Sequence, residues 1–251
     1  PGILSAKPGD GSVRIIDLIQ KAFADAGYAV LPDLSNAIID MTEYGVPQNR
    51  KRIIILGVSK EHYGDKAEAM VEKFYSSYLP EYKIEKKATV RDAIGDLPKL
   101  RPLDEPISYL GRKLSHSVSD PLINGHISRF HNKRDIELFK FLEEDIASGR
   151  MKYTSAKSLK TLYTKLTGKT SNVHKYYVLR WDEPSNLIPA HLFKDGLRHI
   201  HPDPEQARTI TVREAARLQT FPDDYYFNCS QTDAFKMIGN AVPVNLAFEI
   251  A

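Results

Sequence analysis

Between Glu43 and Val58 the chain reads EYGVPQNRKRIIILGV. Gln48, Arg50 and Arg52 alternate with Asn49 and Lys51 and run straight into the aliphatics Ile53 to Leu56. If a strand starts near Gln48, alternation puts Gln48, Arg50 and Arg52 on one face and Asn49 and Lys51 on the other. A guanidinium held by a sheet offers fixed donors to a phosphate, a carboxylate or a base carbonyl. The same charges could instead guard a strand end against unwanted pairing. Spacing alone leaves both roles open.

A second group of cations lies between Arg150 and Arg180. Arg150, Lys152, Lys157, Lys160, Lys165, Lys169, Lys175 and Arg180 occur there without an Asp or Glu, and Tyr153, Tyr163, Tyr176 and Tyr177 are interleaved. That is the composition of a phosphate-tracking surface with rings able to stack on bases. A solvated lysine-rich face has the same composition. Further on, Gly239-Asn240 would allow a tight, left-handed turn before a helix starting at Val242-Pro243, and amides at such a turn can hold a small polar ligand. An ordinary loop-to-helix junction would look alike. His191, His199 and His201 lack acidic or sulfur partners at metal-ligand spacing. Cys229, the single cysteine, allows neither a disulfide framework nor a cysteine zinc site, and its Asn-Cys-Ser context offers nothing to activate the thiol.

These residues need elements to hold them. The chain has 251 residues, with 42% hydrophobic and 27% charged, an ordinary balance for a soluble globular protein and enough for one large domain or one plus a small one. A net charge of +3 hints only mildly at an anionic partner. No apolar run approaches the roughly 20 residues of a membrane span, and no signal-type core opens the chain. A reducing, cytoplasmic compartment and no membrane partner are expected. The start at Pro1 suggests that sequence upstream has been removed.

Val13, Ile16, Ile19 and Phe23 predict an amphipathic helix over 12–27, capped by Ser12 and stopped at Gly27. The run from Arg50 to Val58 predicts a strand, and its unbroken aliphatics suit a sheet buried on both faces. Thr89 with Asp92, and Thr211 with Glu214, read as capping boxes of helices that stop at Pro98 and Pro222. Asp135 to Ala147 reads as a short helix. From Pro98 to Pro121 the chain reads as proline-punctuated loop. Composition changes near residues 100 and 205, where domain boundaries are expected.

YGVPQNRKRIIILG resembles the Gln-x-Arg-x-Arg segment of the C5-cytosine DNA methyltransferases. RTITVREAARLQTFPDDY (Arg208 to Tyr225) resembles the same family's penultimate motif, and MIGNAVPVNLAFEIA (Met237 to Ala251) its last, in family order. Pro1-Gly-Ile-Leu-Ser resembles the stretch just after the family's Glu-Asn-Val segment. The resemblance covers about residues 1–100 and 200–251; the stretch between corresponds to a variable target-recognition region.

The resemblance implies an α/β fold: a partial Rossmann-like S-adenosylmethionine-dependent methyltransferase sheet with a second, smaller mixed target-recognition domain. Residues 1–100 would belong to the catalytic domain, 101–205 to target recognition, and 206–251 to the catalytic domain again. Family members flip a cytosine out of duplex DNA. A Pro-Cys thiol attacks C6, a glutamate assists at N3, and C5 takes the methyl group of S-adenosyl-L-methionine. By motif, Arg52 would donate to the cytosine O2, Arg50 would contact phosphate or brace the catalytic loop, and Gln48 would fix the turn. Phe221, Asn240 and Ala241 would line the far side of the S-adenosyl-L-methionine pocket, and the cations from Arg150 to Arg180 would bind double-stranded DNA. Arg208, Arg213 and Arg217 look structural, on a helix that would buttress one domain against the other.

This sequence departs from the family in lacking the glycine-rich cofactor loop, the Pro-Cys nucleophile and the Glu-Asn-Val acid. The expectation is therefore a C-terminal portion, inactive alone, whose cofactor site lies mostly in an absent N-terminal half, of the same chain or a separate subunit. A non-catalytic DNA-binding or scaffolding relative, and a tRNA cytosine methyltransferase, are the alternatives.

Overall fold

The computed structural model describes every residue except 1, 8, 10, 12 and 195. In chain order the helices and strands are α1 (Ile15–Asp25), β1 (Tyr28–Ala29), β2 (Ile38–Asp40), β3 (Lys51–Ile53), β4 (Val58–Ser59), α2 (Lys60–Tyr63), α3 (Lys66–Lys73), α4 (Leu79–Glu81), α5 (Val90–Ile94), β5 (Pro102–Tyr109), β6 (Arg112–His116), α6 (Lys133–Ala147), α7 (Ala156–Thr167), α8 (Val212–Leu218), α9 (Gln231–Asn240) and α10 (Val244–Ile250). The fold is mixed α/β. No helix among the described residues is long and apolar enough to cross a membrane.

Two compact units emerge: residues 1–45, 49–87 and 245–251 form one, and residues 46–48 and 88–244 the other. The breaks thus fall at 87/88 and 244/245, where composition placed them near 100 and 205. Composition misses them because α5 and the 206–244 segment bury their apolar side chains in the same core, around Val90, Ile94, Leu179, Ile188, Ala215, Leu218, Phe235 and Ile238. The second unit is accordingly not the smaller one.

In the first unit, α1 packs Ile16 against Ala29, Leu31, Leu34, Ala67 and Val71. The proposed cap Ser12 lies outside the described residues, and Arg14 stands at the N-cap, bonded instead to Asp17 at 2.7 and 2.9 Å. Gly27 follows the helix at φ 78°, the left-handed stop that its sequence position predicts. Two antiparallel ladders complete the unit, β1 with β4 and β2 with β3, the latter pairing Ile39 with Arg52 and Asp40 with Lys51. The expected sheet buried on both faces does not form among the described residues. Ile53, Ile54, Ile55 and Leu56 are all only partly buried: each ladder is two strands wide, and the predicted strand is split into β3, ending at Ile53, and β4, starting at Val58. Tyr75 takes up part of the hydrogen bonding there: its hydroxyl donates to Ile54 O (2.7 Å) and accepts from Leu56 N (2.8 Å).

In the second unit both capping boxes form, Thr89 with Asp92 at α5 and Thr211 with Glu214 at α8. Both helices end four residues short of the prolines expected to stop them. The stretch from Pro98 to Pro121 is not a loop but carries the β5–β6 hairpin. Its prolines disguise it. Pro102 is the first strand residue and Pro106 falls within a register shift between Pro102 and Ile107, the two places where a strand tolerates proline. The turn is Leu110-Gly111, at φ 48° and 73°, a primed hairpin turn with a leucine where Asn or Asp is usual. Helices α6 and α7 close a second core of Phe139, Leu142, Leu159, Leu162, Tyr176 and Val178. Burying each such leucine or phenylalanine contributes about 1.5–3 kcal/mol.

Candidate functional site

The loop leading to β3 begins with buried anchors. Asp40 accepts from Thr42 N (3.1 Å) and Thr42 Oγ1 (2.8 Å), Gly45 turns the chain at φ 76°, and Met41 N donates to Arg50 O (2.9 Å). From Gln48 to Arg52 burial then alternates. Gln48 and Arg50 are buried and Arg52 half-buried, whereas Asn49 and Lys51 differ: Lys51 is exposed and so is Asn49. Burial alternates as period-two spacing predicts, but the strand itself begins only at Lys51 and not near Gln48.

The three residues have different environments. Arg50 is lowered to about 10 by burial and, secondarily, by the charge of Arg52, so it stays protonated at neutral pH. Arg52 donates from Nη1 to Lys51 O (2.8 Å), and among the described residues no carboxylate pairs with it. Lys51, on the opposite face, pairs with Asp40 at 3.3 Å.

Gln48 belongs to the second unit and its side chain is committed there. Nε2 donates to Leu218 O (3.3 Å) and Gln219 Oε1, and Oε1 accepts from Ile188 N (2.9 Å). Gln219 carries the chain of bonds onward, its Nε2 donating to Ile238 O and Ala241 O, each at 2.9 Å. The two amides therefore join the end of α8, the 185–188 segment and the end of α9. Sequence reasoning did not single out Gln219, whose partner is 171 positions away.

Through Gln219 the candidates Phe221 and Asn240-Ala241 are brought to adjoining helix ends. Phe221 is partly buried and meets Tyr225 and Phe227 edge-on at 5.0 and 5.6 Å. Asn240 is exposed and ends α9. The left-handed turn expected at Gly239-Asn240 is absent: neither residue has positive φ, and both are helical. Gly239 is required for another reason. A Cβ there would lie 2.4 Å from Pro189 C, Pro189 O and Ala190 N, so the glycine lets a crossing backbone touch the helix.

The arginines of the penultimate motif are internal. Arg208 is fully buried, bonded to both Glu214 oxygens at 2.6 and 2.7 Å and to Gln206 Oε1. Burial alone would raise the Glu214 carboxyl, but the Arg208 guanidinium outweighs it and holds Glu214 well below its ordinary value. His201, 3.5 Å from Glu214, is pushed down to about 3 by burial and stays neutral, so Arg208 is the charged partner bonded to that carboxylate. Arg213 donates to the carbonyls of Asn124, Pro222 and Tyr225. Arg217 binds Asp223 and Asp96.

The eight cations of the basic tract sort into distinct settings. Arg150 stands 3.8 Å from Asp145, an acid contributed by α6 from outside the tract, and Arg180 folds back over Tyr177 to donate to Val178 O. Lys157, Lys160 and Lys165 ride on α7, a helix begun by the Ser155 cap and ended by Gly168 at φ 69°. Lys152 precedes it, and the exposed Lys169 and partly buried Lys175 follow. Of the interleaved tyrosines, Tyr176 is buried in the α6–α7 core, and Tyr153, Tyr163 and Tyr177 are half-buried against it. Cys229 is exposed, with Sγ 3.9 Å from Met237 Sδ.

The family model for C-5 cytosine-specific DNA methylase matches residues 2–251. Type II methyltransferase M.Bpa9945I of Bacillus paralicheniformis is 34% identical, over 97% of this chain and 55% of its own length. Type II methyltransferase M.Eco47II of Escherichia coli is 32% identical, over 94% of this chain and 48% of its own. The chain thus spans about half the length of these curated relatives. A solved structure, a candidate DNA modification methyltransferase encoded within an E. coli prophage, superposes with a TM-score of 0.57 at 22% identity, covering 97% of this chain and 65% of that one, a likeness of fold alone. The chain belongs to the C-5 cytosine-specific DNA methylase family.

Proposed function

We propose that this chain is part of a restriction-modification enzyme that methylates C5 of cytosine in double-stranded DNA. The observation that carries the reading is Arg52, a guanidinium rooted in a paired strand beside buried Arg50, with no carboxylate partner among the described residues. A donor fixed in this way suits the O2 of a cytosine swung out of its duplex. Negative charge grows on that oxygen as C6 is attacked, and a preorganised donor lowers the barrier there. Arg50 braces the loop or meets a flanking phosphate. Gln48, wholly occupied by backbone and amide partners, fixes the turn and touches no base.

S-adenosyl-L-methionine, when bound, supplies an electrophilic methyl group. Phe221 offers part of a ring face and Asn240 an exposed amide, with Ala241 beside it, and Gln219 holds their two helix ends together. These groups fit one wall of a nucleoside pocket. The remaining wall, the attacking thiol and the assisting acid are assigned to residues outside these 251. Cys229 supports that assignment, since its thiol is exposed and the hydrogen-bond partner it has is the Met237 thioether, not a base. In the complete enzyme the β2–β3 ladder would join a Rossmann-like sheet, and residues 101–205 would serve target recognition.

The test is transfer of a labelled methyl group to duplex DNA. The isolated chain should show no turnover and the complete gene product should. In the complete enzyme R52A should lower kcat by about 10²–10³ while leaving DNA binding intact. An R52A enzyme with full kcat would refute the role of Arg52, and robust turnover by the isolated chain would refute an external thiol. Methylation of tRNA in place of DNA would move the reading to the RNA-directed relatives.

A further inference from the structure

Lys152, Lys157 and Lys165 do not merely share a basic tract. Together with Tyr153, Ser155, Ser158, Thr161 and Leu162 they line one groove of about 440 Å³ along α7. Lys157 and Lys165 are eight residues apart with Thr161 midway, so they lie on one helix face over about 12 Å. All three lysines are exposed, and among the described residues none has a carboxylate partner. Among the described residues no acidic side chain lines the groove.

The hydroxyls say what kind of anion fits. Ser155 Oγ accepts from Ser158 N (3.1 Å) and donates to Ser158 Oγ (3.0 Å), Ser158 Oγ donates to Ser155 O (3.0 Å), and Thr161 Oγ1 donates to Lys157 O (3.0 Å). Their protons are spent inside the helix. What remains for a ligand is three exposed lysines, Lys152 among them over the Tyr153 ring, above an apolar floor of Tyr153 and Leu162. A compact anion needing a ring of oriented donors is poorly served by that set. A polyanion passing along the helix is well served, because lysines act as point charges and duplex DNA presents a phosphate every 3.4 Å of axis on each strand.

We infer that this groove is a phosphate-tracking contact for the DNA backbone, made by Lys152, Lys157 and Lys165 and carrying no base specificity. The inference rests on the DNA-binding reading above and sharpens it. Three of the eight cations do this work, while Arg150 and Arg180 are held by Asp145 and by Val178 O and Tyr177.

The experiment measures binding of the 251-residue chain to a fluorescein-labelled duplex of mixed sequence by anisotropy across a potassium chloride series. The variant K152A/K157A/K165A should bind more weakly by the same factor on every sequence tested. Its slope of log K against log salt should shrink by about 2–3, roughly 0.9 for each phosphate no longer neutralised. A control, K66A/K86A/K87A, removes the same charge from exposed positions of the other unit and should leave the slope unchanged. If both triple variants reduce the slope equally, the effect is one of net charge and the groove is overturned. Tight binding by the parent with an unchanged slope in the groove variant overturns it as well. Failure of the parent chain to bind duplex DNA would instead refute the DNA-binding reading itself.

Discussion

Gln48 distinguishes a positioning role from a chemical one, and Q48A tests which it has. The side chain is fully buried, and truncation removes the acceptor for Ile188 N at 2.9 Å and the donor for Gln219 Oε1. A buried polar group stripped of its partner costs about 1–3 kcal/mol, and the space left by the amide adds to this. The expected loss is about 3 kcal/mol, which for a unit of this size lowers the melting temperature by about 6–12 °C. Trp181, the single tryptophan, lies in the same unit, packed edge-on against His201 at 5.3 Å, so its fluorescence follows the unfolding of the unit that holds Gln48. R52A, at a half-buried position outside that unit, should leave the Trp181 transition within about 0.5 kcal/mol of the parent. Q48E should be at least as damaging as Q48A, since an ionised carboxylate would face Leu218 O and Gln219 Oε1, both acceptors. If Q48A melts within about 1 °C of the parent, the latch is refuted, and a variant that melts normally yet loses turnover would put Gln48 among the substrate contacts.

Three other outcomes follow from buried groups in the same unit. G239A should destabilise by about 1–3 kcal/mol or fail to fold, because its methyl group would lie 2.4 Å from the Pro189 and Ala190 backbone; an unchanged urea midpoint would refute the close approach. Burial lowers His116 and His199 to about 4 and His131 and His201 to about 3, so these rings are neutral in the fold and take up protons first when unfolded. Stability should therefore fall as pH drops below about 6.5, each ring contributing up to about 1.4 kcal/mol per pH unit, and a Trp181 urea midpoint that stays flat from pH 7 to pH 5 would contradict this. Glu143 works in the opposite sense: burial raises it well above the ordinary range, and neither carboxyl oxygen has a hydrogen-bond partner among the described residues. E143M should accordingly stabilise at neutral pH by about 1–3 kcal/mol, with the gain shrinking toward acid pH; a lower melting temperature at pH 7 would refute that account.

Legible in the sequence is whatever short-range rules determine. The two capping boxes form because a threonine and an acid three positions later satisfy each other's backbone within one turn. Helix α6 forms from its own apolar spacing, beginning with the Asn132 cap. The β5–β6 hairpin is hidden by prolines that sit where strands tolerate them, and α7 by a lysine-rich composition that overshadows its Ser155 cap and Gly168 stop. Gly239 reads as a turn residue because its true constraint, the backbone of Pro189 and Ala190, lies some 50 positions upstream. The tyrosines of the basic tract read as a ligand surface for the same kind of reason. Whether a ring faces a base or a core depends on α6, which the tract does not contain.

The same division runs through the Gln48–Arg52 segment itself. Alternation, a local property, places Gln48, Arg50 and Arg52 on one face, and burial follows it. The role each residue then takes is set by distant partners. Gln48 meets Leu218, Gln219 and Ile188 and is used up in holding the turn, whereas Arg52 donates to its neighbour's carbonyl and pairs with no carboxylate among the described residues. Burial lowers Arg50, the charge of Arg52 adds to this, and two adjacent guanidiniums together favour an anionic or electron-rich ligand. Such a ligand gains most when its negative charge appears only as the reaction proceeds, because the donors are then already in place. A glutamine that holds the turn and an arginine that meets the base are the two roles that the proposed site requires.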